Sequence, residues 1–406
     1  MGRHVDVRKT LLLCEAMGHP QHRFKSIHVA GTNGKGSTTH ALAAIIQTAG
    51  YKTGLHTSPH LQSFTERMRI NGVPVSKAYV AEFIERYQKL FQKVQPSYFE
   101  IAVAMAYYLF AQEAVDIAIV EVGLGGRLDA TNIITPEVAV ITNISFDHIE
   151  FLGDTLAQIA DEKAGIIKQG IPVVVGVHHP ETAAVFEKVA NEKNAPIQFA
   201  SENYKVQFIA QRNEGLIVNV TKNDTQWPEA LNFNLGGLYQ LENIPTVLNT
   251  IDVLVEKGLA IRQHQVYEGL KHIRQFTGLR GRWEVLAQRP MVVCDVCHNE
   301  AGVQHVIQQL KMVDYDQLHI VWGMVKDKET KAILKLLPHQ AYYYFCEADV
   351  PRAMTTKKLA KEANDVGLQG KVVGNVKKAL QQARNQAGEQ DVIFVGGSIF
   401  VVAEVL

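Results

Sequence analysis

The stretch HVAGTNGKGSTT, residues 28–39, decides how this sequence reads. The short apolar run at 26–30 predicts a strand, and 37–49 predicts a helix. A glycine-rich loop between a strand and a helix turns backbone N–H groups toward an anion at the helix N-terminus. Lys35 is placed to reach the β- and γ-phosphates of a nucleotide. The spacing departs from G-x-x-x-x-G-K-[ST]: the first glycine is Gly31 rather than position 29, and Gly36 separates Lys35 from Ser37. The strand–loop–helix context carries the phosphate-loop reading in spite of that.

Working outward, apolar runs at 115–122 (VDIAIVEV), 138–142 (VAVIT) and 171–177 (IPVVVGV) alternate with helical periodicity at 155–168. Continuous apolar strands between helices predict a mostly parallel sheet covered on both faces. From about 204 to 234 the pattern turns to short polar alternation, a small antiparallel insertion. After Gly278 and Gly281 a second alternating set begins, with strands expected at 291–296, 318–323, 341–346, 371–373 and 391–396. A chain of 406 residues exceeds what one core usually covers. Two α/β domains are therefore expected, 1–280 and 281–406, with the boundary near 278–286.

Lys+Arg and Asp+Glu are both 41, which argues against a nucleic-acid protein. No apolar run approaches the ~20 residues of a membrane span. The N-terminus lacks the apolar segment and cleavage site of a secretory signal. Asp6 breaks the myristoylation pattern that Gly2 begins. The four cysteines, Cys14, Cys294, Cys297 and Cys346, make no disulfide framework and suggest a reduced, cytoplasmic setting. Cys294 and Cys297 form a C-x-x-C, but zinc normally wants a second pair; two small apolar residues ending a buried strand is the plainer reading.

A nucleotide-using enzyme needs a divalent cation, and the cation needs oxygen or imidazole ligands. Glu121 ends its strand, Asp147 and His148 follow the next one, and Glu100 lies near a helix start. Each alone is an ordinary strand-end charge or helix cap. Three acid or His positions at the ligand-facing edge of one sheet point to a metal. A simple ATPase or GTPase fits these residues as well.

Ordered segments narrow the choice. GTNGKGS (31–37), TSPHL (57–61), FTERMRING (64–72), SYFE (97–100), EVGLGGRLDATN (121–132), Asp147-His148 and EKAGIIK (162–168) occur in that order. The sequence resembles the Mur ligase superfamily, and within it the folylpolyglutamate synthase/dihydrofolate synthase family. The segments at 57–61 and 123–132 separate that folate branch from the cell-wall branch. The resemblance implies a P-loop Mur ligase central domain followed by a Rossmann-like Mur ligase C-terminal domain. It implies an acid–amino acid ligase that adds L-glutamate to dihydropteroate or to the glutamate tail of a reduced folate. It implies ATP, two Mg²⁺ sites, a monovalent cation and a monomer.

Residue by residue, the resemblance implies that Thr32, Asn33, Gly34, Lys35, Gly36 and Ser37 hold the ATP phosphates. Ser58, Glu121 and His148 ligate Mg²⁺. Lys163 matches a lysine commonly carbamylated in this superfamily, which turns a cation into an anion able to bind a second Mg²⁺; the alternative is a surface lysine paired with Glu162, a weak contact. Ser97, Tyr98, Phe99, Glu100 and Leu128 contact the pterin-bearing substrate. In the later half, Asn243, Arg282 and Asp295 contact the nucleotide, and His298 joins Lys35 in neutralising the transferred phosphoryl group. Gly323, Asp327 and Lys328 match a further signature, as do Pro351-Arg-Ala353 and Gly397-Ser398. The segment at 295–299 departs from the usual Asp-Gly-Ala-His-Asn by carrying Val296 and Cys297, and Tyr239 stands where a histidine is common. Family members usually carry a longer segment before the phosphate loop, ending in a Leu-Gly-Leu-type stretch; here Met17-Gly-His-Pro20 stands there. The choice between dihydropteroate and reduced folates therefore stays open. Closure about a hinge at 278–282 is expected to bring Arg282 and Asp295 onto the nucleotide.

Overall fold

The computed structural model describes residues 7–212, 215–326 and 330–406. The signature residues Asp327 and Lys328 lie outside them.

The chain divides into two compact units. The first comprises Met1–Ala210, Ile217–Asn234 and Gln240–Leu279; the second comprises Gln211–Leu216, Leu235–Tyr239 and Arg280–Leu406. The main crossing lies between Leu279 and Arg280. The two short stretches around 211–216 and 235–239 do not follow chain order: they pack with the later residues, which no local pattern announces.

The large sheet of the first unit has eight strands: β1 (Lys25–Ala30), β2 (Thr53–His56), β3 (Met68–Ile70), β4 (Val73–Pro74), β5 (Ile117–Glu121), β6 (Val138–Ile141), β7 (Val173–Val175) and β8 (Ile197–Phe199). Their order is β4-β3-β2-β5-β1-β6-β7-β8. The pairs from β2 to β8 are parallel; β3 and β4 add an antiparallel edge. β5 and β6 are buried along their whole length, as expected for strands covered on both faces. The sequence reading did not anticipate β3 and β4. Strands of two or three residues around an Asn71-Gly72 turn are too short to show a period.

β9 (Tyr204–Arg212), β10 (Gly215–Lys222), β11 (Thr225–Gln226) and β12 (Leu231–Phe233) form the small separate sheet expected at 204–234. The second unit carries β13 (Glu284–Gln288), β14 (Met291–Cys294), β15 (Leu318–Trp322), β16 (Tyr342–Glu347), β17 (Gly370–Asn375) and β18 (Val392–Gly396), in the order β13-β14-β18-β15-β16-β17. All pairs but β13–β14 are parallel. Trp322, Phe345, Phe394 and Val293 centre its core.

Candidate active site

In a parallel sheet the ligand-facing edge is the one where strands end. β1 pairs with β5 on one side and β6 on the other. The loop after β1, Glu121 at the end of β5, and the segment after β6 are thereby brought to one edge.

The loop after β1 feeds the helix Lys35–Thr48, which starts at Gly34 in the left-handed region (φ 82°) with no side chain capping its first turn. A Cβ on Gly34 would sit 2.1 Å from Asn243 Oδ1, so only glycine admits this approach. The helix Gln240–Glu256 presents Asn243 there, and Gln240 Nε2 donates to Ser37 Oγ at 3.1 Å. Asn243 is thus placed beside the phosphate loop by packing within the first unit.

Two ammonium groups converge on one carbonyl. Lys35 Nζ donates to Gly31 O (2.9 Å) and Thr32 O (3.1 Å), and Lys163 Nζ donates to Gly31 O (2.9 Å). Lys163 is 3 % exposed. Burial, and then Lys35, pull its ammonium down to about 7, against the opposing pull of Asp147, Asp129 and Glu162. The surface-pair alternative for Lys163 fails, because Glu162 is instead bonded to the outward-reaching Arg127.

Glu121 is 5 % exposed and its Oε2 accepts from the Ser58 backbone N–H at 3.0 Å. His148 follows β6 in a left-handed turn (φ 52°), with Asp147 Oδ1 accepting its N–H at 2.9 Å. Among the described residues no three His, Cys, Asp or Glu side chains form a ready-made metal cluster. Mg²⁺ takes one or two protein carboxylates and draws the rest of its shell from water and phosphate. Glu121, a buried carboxylate bonded to the Ser58 N–H, is suited to such a shell.

The expected folate contacts separate into two kinds. Ser97 and Glu100 cap each other's backbone N–H groups as a capping box at the start of the helix Tyr98–Gln112. Tyr98 is 59 % exposed and Leu128 38 %, so these side chains are open to a ligand. Phe99 lies against Gly123, where a Cβ would stand 2.3 Å from its ring. The sequence reading missed the partners around them. Arg67, 8 % exposed, donates through Nε to His60 Nδ1 (2.8 Å) and lies 5.7 Å from the Tyr98 ring centroid, while Phe64 packs on Tyr98 at 5.3 Å. Nothing local in the FTERMRING segment shows that Arg67 turns inward.

In the second unit Asp295 is 3 % exposed. Its Oδ2 accepts from Tyr239 OH (2.6 Å) and Trp283 N (2.7 Å), and its Oδ1 from Cys297 N (2.9 Å). The carboxylate therefore organises its own loop, and Tyr239 has a bonding role at the position where a histidine was expected. Burial pushes the Asp295 carboxyl above its usual range, while Tyr239, Arg282 and the two N–H groups oppose that. His298 Nδ1 lies 3.1 Å from Val296 O. The four cysteines are buried and not joined in disulfides, and burial pushes the Cys297 thiol up; a small apolar residue is what C-x-x-C supplies here.

This doubly wound α/β architecture, with a phosphate loop and acids at one sheet edge, defines a ligase of the Mur class: the Mur ligase middle domain matches residues 29–250 and the Mur ligase glutamate ligase domain matches residues 281–399. More narrowly, the chain belongs to the dihydrofolate synthase/folylpolyglutamate synthase family. It is 32 % identical to the dihydrofolate synthase/folylpolyglutamate synthase of Bacillus subtilis, over 97 % of this chain and 92 % of that one. Among solved structures it matches E. coli FolC in complex with DHPP and ADP, with a TM-score of 0.87 and 29 % identity over 98 % of this chain and 92 % of that chain. It also matches a bifunctional folylpolyglutamate synthase/dihydrofolate synthase with Mn, AMPPNP and L-glutamate bound, with a TM-score of 0.84 and 30 % identity over 100 % and 94 % of the two chains.

Proposed function

We propose that this protein is an ATP-dependent amide ligase that adds L-glutamate to dihydropteroate, to the glutamate tail of reduced folates, or to both. The observation that carries the reading is the convergence of Lys35 and the buried Lys163 on the Gly31 carbonyl, at the sheet edge that also holds Glu121 and Ser58.

A carboxylate is a poor electrophile, so the γ-phosphoryl group of ATP is first transferred to it, releasing ADP and forming an acyl phosphate. Glutamate's neutral amine then attacks the acyl carbon and phosphate leaves, and proximity supplies much of this second step. Lys35 neutralises charge on the transferred group, and fixed positive groups at such a place are often the largest catalytic contribution. Mg²⁺, when bound, neutralises phosphate oxygens. Ser58, Glu121 and His148 would hold it. Tyr98, Phe99 and Leu128 are assigned to the pterin-bearing substrate, with Ser97 and Glu100 holding the helix that presents the two aromatics. Asn243, Arg282 and Asp295 are assigned to the nucleotide, with Asp295 acting through the loop it orders and His298 meeting the phosphoryl group.

Lys163 is proposed to carry a carbamate. A buried lysine drawn down to about 7 holds a large neutral fraction near neutral pH, and only the neutral amine adds to CO₂, losing a proton as the N–C bond forms. The product anion would meet a second Mg²⁺. Intact mass measured under bicarbonate tests this directly: wild type should gain one CO₂ and Lys163→Gln should not.

ADP release from ATP, Mg²⁺ and L-glutamate, with dihydropteroate in one assay and tetrahydrofolate in another, tests the main reading. Turnover with both is expected. Turnover with tetrahydrofolate alone would leave an enzyme that only extends glutamate tails, a reading that the Met17–Pro20 departure favours. No turnover in either assay, with ATP still bound, would overturn the assignment of these two acceptor substrates.

A further inference from the structure

We propose that Thr32, Asn143 and Ser145 are positioning residues that clasp the phosphate loop to the segment carrying Asp147 and His148, so that nucleotide and divalent cation bind as coupled events. The inference rests on the nucleotide and metal reading above.

The β1–β6 ladder ends at Ala30 paired with Ile141. Beyond it the two chains stay together through a different set of bonds. Thr32 N donates to Asn143 O at 2.9 Å. Asn33 N donates to Asn143 Oδ1 at 2.9 Å, and Thr142 Oγ1 donates to Asn33 O at 2.6 Å. The Thr32 hydroxyl donates to Ser145 O (3.0 Å) and accepts from Ser145 N (3.1 Å). Asn33 Nδ2 donates to Ser145 Oγ at 3.3 Å.

This arrangement has two physical consequences. First, the Thr32 hydroxyl and the Thr32 and Asn33 backbone N–H groups face the neighbouring segment. They hold the loop in place, and phosphate contact falls to Lys35 and to the uncapped helix start after Gly34. Second, the bonds tie the loop directly to the segment that carries Asp147 and His148. From Asn143 to Phe151 no residue is buried, and Phe146 and Phe151 are 50 % and 54 % exposed. Ile144 packs partly against the core below, and beyond it the bonds to Thr32 and Asn33 contribute to placing the exposed stretch. Asp147 lies two residues past Ser145, and a shift of Thr32 moves the Ser145 backbone with it.

The test measures dissociation constants of the full-length protein for a non-hydrolysable ATP analogue, once with EDTA and once with saturating Mg²⁺. The ratio of the two constants reports the coupling. Thr32→Val keeps the side-chain shape and removes both hydroxyl bonds; it should reduce the ratio by roughly tenfold, with thermal unfolding close to wild type. Thr32→Ser keeps the hydroxyl and should preserve the ratio. Asn143→Ala, which removes the acceptor for Asn33 N, should act in the same direction. Equal ratios in wild type and both disruptive variants would overturn the clasp while leaving the nucleotide site standing. A wild-type protein that binds no analogue with Mg²⁺ would overturn the nucleotide reading, and the clasp with it.

Discussion

Two loops of this protein share a topology and differ in how they treat the helix that follows. Each leaves the end of a parallel strand and enters a helix: the loop after β1 enters Lys35–Thr48, and the loop after β14 enters Glu300–Leu310. The second helix is capped by its own chain, since Asn299 accepts from Gly302 N at 2.9 Å. The first has glycine at the cap and no side-chain acceptor. Helix N-termini carry unsatisfied donors and a partial positive charge, so an end that is not capped internally is suited to an anion from outside. The charged side chains follow the same division. Around the first loop they are amines, Lys35 and Lys163, on a backbone carbonyl. In the second, the carboxylate of Asp295 is bonded to Tyr239, Trp283 and Cys297 of its own unit. The first loop leaves its helix start without a side-chain cap, and the second closes on residues of its own unit.

The strongest test of this contrast removes the cation of the first loop. Lys35→Met should reduce ADP release by about a thousandfold while thermal unfolding stays near wild type. A fall of less than about tenfold would mean that Lys35 is a structural lysine.

Lys163→Gln comes next, with a loss of turnover on the order of a hundredfold. Its pH signature is more specific. The folded ammonium is drawn down to about 7 from an ordinary 10.5, so between those values the unfolded chain binds more protons than the folded one. Stability then rises with pH across that window, and the cost of burying a charged lysine is full below about 7. The variant should lose this dependence and gain most, relative to wild type, on the acid side. Parallel stability–pH curves for the two proteins would contradict it.

In the second loop the effect should fall on stability. Asp295→Ala strands Tyr239 OH and two backbone N–H groups in a buried place. A loss of about 2–4 kcal/mol is expected in denaturant titrations followed by tryptophan fluorescence, since Trp283 and Trp322 are both buried in this unit. The smallest expected effect is Asn299→Ala, about 1 kcal/mol for a lost cap. Unchanged stability in Asn299→Ala would mean that the cap does not hold this loop.

Most of the longer elements and the class of chemistry were legible in the sequence alone. Apolar runs between helical stretches give parallel strands, and glycines before a lysine at a strand–helix junction give a phosphate loop, because both signals are local. Glu121, Asp147 and His148 were legible for the same reason: each follows a recognisable strand, and strand ends in a parallel sheet share an edge. Tertiary structure decided the rest. Whether Lys163 was a surface lysine or a buried one depended on the distant Gly31 carbonyl, and whether Ser97 and Glu100 faced a ligand or capped a helix depended on rotamers. Thr32 and Asn143 are 111 positions apart, and only the β1–β6 pairing brings them together. Local propensity encodes where a strand ends; which side chains meet beyond that end depends on sheet order and register, which are properties of the assembled chain.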